Sequence, residues 1–221
     1  MNTLIIGGNS GIGQAIGDRL MQIGEQTYRP TEERLDVRDF LSIRKWFADH
    51  EFPDSIVYSA GVNYPEMLGD VGMANLFNTY AINVLGFIEI MNEVARQEKR
   101  VSVLAIVSDS AHTAMRGSIA YASSKAAMQH AIKCAARELA PRVRVNGISP
   151  SMVEGTPMTA HVDNVIPKIR GWSPERARAY ENSMSPSGRR CTTEEVAQLA
   201  VDLLLGPEFL TGAIVPLTGG K

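Results

Sequence analysis

Two kinds of apolar pattern alternate along this chain. Short unbroken runs at residues 3–6, 55–59, 101–107, 143–148 and 213–217 have the length of strands buried on both faces, the valine-rich 101–107 run most clearly. Weaker strand patterns fall at 26–28 and 35–37. Between the strands lie stretches with helical spacing: 11–23, with Ile12, Ile16, Leu20 and Ile23 on one face, then 40–50, 72–97, 119–139 and 193–205. Only residues 29–34 separate the two weak strands, too few for a full crossover helix, so that connection is expected to be abbreviated. Residues 155–188, interrupted by Pro157, Pro167, Pro174 and Pro186, read as irregular. This alternation, with no repeat and no low-complexity linker, predicts one α/β domain over 1–221: a doubly wound parallel sheet with helices on both faces.

Composition narrows the function classes. The 221 residues suffice for one sizeable core, and 44% hydrophobic with 21% charged residues is ordinary for a globular chain. A formal charge of -2 offers no basic footprint, which argues against nucleic acid or an anionic membrane as partner. No apolar run reaches membrane-span length, and a first strand starting at about Thr3 leaves no room for a signal peptide. Cys134 and Cys191 stand alone, as expected in a reducing compartment, so a cytoplasmic location is expected. His50, His112, His130 and His161 lack ligand spacing, and no metal is expected.

The first strand runs straight into Gly7-Gly8-Asn9-Ser10-Gly11-Ile12-Gly13, which opens the first helix. In that context Gly7 allows a tight turn, Gly11 lets backbone approach a pyrophosphate, and Gly13 permits close packing of the helix. The helix N-terminus then offers free N–H groups and partial positive charge to phosphate. Past the second strand, Tyr28-Arg29-Pro30 stands where an acidic residue would select a ribose 2′-hydroxyl, so Arg29 points to NADP rather than NAD.

Tyr121 and Lys125 are four residues apart in a helical stretch and so share a face. A free phenol titrates near 10, too high for efficient proton exchange at neutral pH. An ammonium about 4 Å away in a shielded cleft contributes up to ~4 kcal/mol, enough to bring it close to the useful range. Ser108, at the end of the 101–107 strand, is placed to donate a hydrogen bond to a reacting oxygen; Ser110 competes for that role at a shorter spacing to Tyr121.

Taken together, these segments resemble the short-chain dehydrogenase/reductase family over nearly the whole chain. Besides the glycine loop and Tyr-x3-Lys, the resemblance rests on Asp36-Val37, Ser59-Ala60-Gly61, Asn83 in Asn-Val-Leu-Gly, Val145 to Pro150, and Thr211-Gly212. It implies a Rossmann-type fold that interconverts a carbonyl and a secondary alcohol by hydride transfer. Tyr121 would be the general acid/base and Ser108 would orient the substrate oxygen. Lys125 would lower the tyrosine pKa and bind the nicotinamide ribose, and Asn83 would hold a proton relay. Cofactor contacts would come from Gly7, Asn9, Ser10, Gly11, Ile12, Gly13, Arg29, Asp36, Val37, Ser59, Ala60, Gly61, Tyr121, Lys125, Pro150, Val153 and Thr156. Residues 155–188 would form a substrate lid; its Lys168, Arg170, Arg176 and Arg178 could attract an acidic substrate, but read first as a solvated helix face. A homotetramer or homodimer packed through the 72–97 and 119–139 helices is also implied.

The chain departs from the family pattern at several points. Ile6 replaces a threonine, Ser59 an asparagine, Ser151 a glycine and Thr218 an aspartate, and Gly155 adds a residue before Thr156. These departures motivate a second reading, a dinucleotide-binding sensor or scaffold with little catalysis.

Overall fold

Successive residues of a strand point to opposite faces of a sheet, and here both faces are apolar. A computed structural model describes residues 1–221. Six strands, β1 (Asn2–Ile6), β2 (Gln26–Tyr28), β3 (Ser55–Tyr58), β4 (Val101–Ile106), β5 (Val143–Pro150) and β6 (Ile214–Leu217), form one parallel sheet in the order β2-β1-β3-β4-β5-β6. Leu4, Ile6, Ile56, Tyr58, Val103 and Ala105 face one core, where α2 (Phe40–Asp49), α4 (Gly86–Ala95) and α5 (Ile119–Leu139) supply Trp46, Phe87 and Ile132. The residues between them, Ile5, Val57, Leu104 and Ile106, face a second core built with α1 (Gly11–Gln22) and α8 (Thr193–Leu204). The expected doubly wound α/β fold is the fold observed. Its strand order reverses between β1 and β3, and the crevice beyond the carboxyl ends of such strands is where this architecture binds ligands.

Three local expectations need correction. Residues 35–37 are not a strand. Leu35 and Val37 are buried as the alternation implied, but their backbone groups are satisfied within a turn: Leu35 N–H donates to Thr31 O and Asp36 N–H to Ser42 Oγ. The sheet therefore ends at the three-residue β2, and the chain passes through turns directly into α2.

Residues 72–97 are not one regular helix. They run as α3 (Met73–Tyr80), a π-helical segment (Ala81–Leu85) and α4. The Tyr58 hydroxyl donates to Ile82 O at 2.5 Å, taking the carbonyl that a regular ladder would give to Gly86. Gly86 tolerates the contact because a Cβ there would lie 2.6 Å from Tyr58 Oη.

Residues 155–188 hold two helices, α6 (Pro157–Arg170) and α7 (Pro174–Met184). Pro157 and Pro174 occupy first turns, where no N–H is needed, so they start helices rather than break them. Thr156 and Ser173 cap them by accepting from Thr159 N–H and Arg176 N–H.

Candidate active site

The glycine loop closes over the β1/β3 crevice because three of its positions admit no side chain. Gly7 has φ +79°, and a Cβ there would lie 2.7 Å from Ala60 N; a Cβ on Gly13 would come within 2.2 Å of Gly7 O. Gly11, at φ +51°, faces Thr156, whose Cβ would be 3.3 Å from an added methyl. Ser10 caps α1 in extended backbone with no side-chain bond, and no acidic residue occupies the first turn. The N–H groups of that turn are thus left free toward the cavity, as an anion requires. Ser59-Ala60-Gly61 continues β3 alongside, its register held by Ser59 N–H donating to Ile6 O at 2.9 Å. Asn63 adds a buried Oδ1 without a partner to the same wall. Free helix N–H groups, glycine backbone and an unpartnered amide oxygen together fit a dinucleotide.

The loop opens onto a cavity of about 340 Å³ whose wall also carries Ser108, Tyr121 and Lys125. Tyr121 and Lys125 project from α5, and Ser108 stands just beyond β4. Lys125 is almost fully buried and donates from Nζ to Ile106 O at 2.7 Å. Ser108 Oγ accepts from Ser110 N–H at 3.2 Å and from Ser110 Oγ at 2.9 Å, so Ser110 supports Ser108 from behind and does not itself line the cavity. Asn83, fully buried, sits in the π-helical segment. Its Oδ1 accepts from Val62 N–H at 2.9 Å, and its Nδ2 donates to Val62 O and Ser124 Oγ, both at 3.0 Å. Gly61 lies between the two halves of this set: an added Cβ would be 3.4 Å from Asn83 Oδ1 and 3.5 Å from Lys125 Nζ. A π-bulge at such a place is a common device for aiming a functional side chain.

The electrostatics correct one expectation. Lys125 Nζ lies 5.8 Å from the Tyr121 ring centroid, and the lysine does not bring the phenol down. Burial dominates both groups and favours their neutral forms. Tyr121 is pushed up to about 12, with a hydrogen bond to Ser108 lowering it and the Asp109 carboxylate raising it further. Lys125 is pulled down to about 8 by burial alone. A phenol held protonated can donate to a substrate oxygen.

Of the expected cofactor residues, Gly7, Ser10, Gly11, Ile12, Ser59, Ala60, Gly61, Pro150, Val153 and Thr156 line the cavity with Tyr121 and Lys125; Asn9, Gly13, Arg29, Asp36 and Val37 do not. Asn9 Nδ2 instead donates to Pro30 O at 3.1 Å, and Val37 packs into the core. The Arg29 guanidinium turns along α1, donating to Asp18 Oδ1 at 2.7 Å and lying on Gly17. Asp36 is taken by Arg38, whose Nε and Nη2 donate to it at 2.9 and 2.8 Å and hold its carboxyl below the usual range.

Other wall residues escape the sequence reading. Asp109 accepts from Lys221 Nζ at 2.8 Å, a pair 112 residues apart that no local spacing announces. Arg170, read as a solvated helix residue, lines the cavity with Trp172 and Tyr180. Arg190 is buried there and ion-paired to Asp163 and Glu181. His112 is exposed and does not line the cavity.

A family model described as enoyl-(acyl carrier protein) reductase matches residues 10–221. The chain belongs to the short-chain dehydrogenase/reductase family. It is similar to sorbitol-6-phosphate 2-dehydrogenase of Klebsiella pneumoniae, 26% identical over 256 aligned residues that cover 99% of this chain and 94% of that one. The fold is similar to that of a variant of actinorhodin polyketide ketoreductase with NADPH, at TM-score 0.90 and 23% identity over 99% of this chain and 95% of that one. NAD⁺-bound xylitol dehydrogenase superposes at TM-score 0.89 with 21% identity, covering 99% and 98% of the two chains. Family membership makes this chain an oxidoreductase that uses a nicotinamide dinucleotide, and the sensor or scaffold reading is not favoured.

Proposed function

We propose that the protein is an NADP(H)-dependent reductase of a small carbonyl compound, giving a secondary alcohol. The observation that carries this reading is the placing of Ser108, Tyr121 and Lys125 on one cavity wall beside an uncapped helix N-terminus. Gly7, Ser10, Gly11 and Ile12 hold the pyrophosphate through backbone N–H groups, and Lys125 holds the nicotinamide ribose. A bound dinucleotide supplies a hydride for the carbonyl carbon. Ser108 orients the carbonyl oxygen, and Tyr121 donates the proton that completes the hydroxyl. Asn83 positions Val62 and Ser124 behind Lys125 and holds the relay that returns a proton to the phenol.

NADP is favoured over NAD by the end of β2, which carries Arg29 and no carboxylate. Nε and Nη2 of that guanidinium are buried without a partner, leaving donors for a 2′-phosphate once it swings from Asp18. Helices α6 and α7 act as the substrate lid. Met73, Phe77, Leu85, Ile88 and Ile119 are exposed on α3, the π-helical segment, α4 and α5, an apolar face suited to subunit packing in a homodimer or homotetramer. No helix is long and apolar enough to cross a membrane, and we assign the enzyme to the cytoplasm.

Titration of the purified protein with NADPH and NADH, followed by a panel of ketones with the preferred cofactor, tests this reading. NADPH is expected to bind at least tenfold tighter and to be oxidised by at least one ketone. Tighter NADH binding would overturn the cofactor choice, and saturable binding without turnover would restore the sensor reading.

A further inference from the structure

We propose that Arg170 is the binding site for a carboxylate on the substrate, which makes the substrate class an apolar oxo acid; this rests on the reductase reading above. The cationic side chains of the α6–α7 wall are mostly neutralised. Arg189 pairs with Glu195, Arg190 with Asp163 and Glu181, and Lys221 with Asp109. Arg170 has no carboxylate partner. Its Nη2 donates to Arg116 O at 2.9 Å, and its Nε is buried with no hydrogen-bond partner. A buried guanidinium N–H without an acceptor is costly unless something in the functional state accepts from it.

The surroundings sharpen the ligand. The Arg170 Cζ lies 5.1 Å from the Trp172 ring centroid and 5.9 Å from that of Tyr180, and these two rings meet edge-on at 5.2 Å. Aromatic faces hold the guanidinium plane while leaving its edge free for a carboxylate. Among the cations that line this wall Arg170 alone has no carboxylate, which calls for a monoanion; Arg176, 4.9 Å from the same Trp172 ring, is exposed and lies outside the cavity lining. The same cavity is lined by Met115, Met158, Ile166 and Met184, an adaptable apolar surface for the substrate's body. The reacting carbonyl then sits at Ser108 and Tyr121 and the carboxylate at Arg170.

Calorimetric titration of the full chain with 4-phenylbutyrate and with 4-phenylbutanamide, which differ in charge and contain no ketone, tests this directly. The acid is expected to bind at least tenfold tighter than the amide. Arg170→Gln should bring that ratio close to one, and Arg170→Lys should restore part of it. Equal affinities in the wild type, failure of the acid to bind, or a ratio that persists in Arg170→Gln would each overturn the assignment. Steady-state reduction of aryl oxo acids of increasing chain length against their methyl esters separates the two claims. Turnover of esters with no preference for acids sinks the Arg170 site alone. An acid preference in calorimetry with no turnover of any carbonyl sinks the reductase reading alone.

Discussion

On the strand-end side of the cavity, Gly7, Ser10 and Ser59 to Gly61 sit where backbone geometry puts them, with no ion pair among them. On the α6–α7 side, the wall depends on side chains: Arg190 bridges Asp163 and Glu181, and Arg178 bridges Glu154 and Asp163. The first side has little freedom to change, because Gly7 and Gly13 are pinned by neighbouring backbone atoms. The second can exchange residues and keep its helices, because caps and prolines specify the helices while the inward side chains vary independently. A constant chemistry and an adjustable specificity follow from that division.

The largest effect should come where the two sides meet. Tyr121→Phe removes the proposed proton donor and keeps the ring, so turnover should fall at least a hundredfold with the NADPH dissociation constant changed less than threefold. Undiminished turnover would remove Tyr121 from proton transfer. On the backbone side, Gly13→Ala forces a methyl against Gly7 O, and cofactor affinity should weaken at least tenfold with a loss of about 2–4 kcal/mol in stability. Chemical denaturation and cofactor titration read both, and wild-type values would contradict the cradle geometry.

On the side-chain side, Arg190→Gln leaves Glu181 unpaired and Asp163 with only its longer contact to Arg178. About 2–3 kcal/mol of stability should be lost and KM should rise, while cofactor affinity holds. Arg190 holds the Asp163 carboxyl below its ordinary range. That contribution is therefore present above the ordinary carboxylate pKa and disappears as pH falls through the lowered one. The difference between variant and wild type should accordingly shrink in acid; a pH-independent difference would exclude the ion pair as its source.

The smallest effect concerns Lys125. Its folded-state pKa of about 8 lies below the ordinary lysine value of 10.5, so the folded state resists its proton, at a cost that is full below pH 8 and relieved as pH rises toward 10.5. Lys125→Met should raise the melting temperature slightly at pH 7, with the gain fading in alkali. A lower melting temperature at pH 7 would indicate that the bond to Ile106 O outweighs desolvation.

What could be read early follows from locality. Strands β1, β3, β4 and β5 were legible because burial on both faces forces unbroken apolar runs, and α8 because its apolar residues recur at helical spacing; its capping box of Thr192 and Glu195 appears in the structure. Residues 35–37 misled because burial alone imitates alternation: Leu35 and Val37 reach the core from a turn. The prolines of 157–174 misled for the opposite reason, since a residue that ends helices also begins them. The π-helical register at Ala81–Leu85 depends on a hydroxyl from Tyr58, on another element, and was invisible to any helical period.

The sequence by itself determined the layered sheet, the glycine loop and the candidate proton donor, because these rest on glycine sterics, strand periodicity and spacings within one helix. Only the tertiary structure decided the electrostatic state of that donor, the turning of Arg29 toward Asp18, and the unpaired charge of Arg170. Desolvation and ion pairing sum over neighbours far apart in the chain, such as Asp109 and Lys221, and those neighbours exist only once the chain has folded.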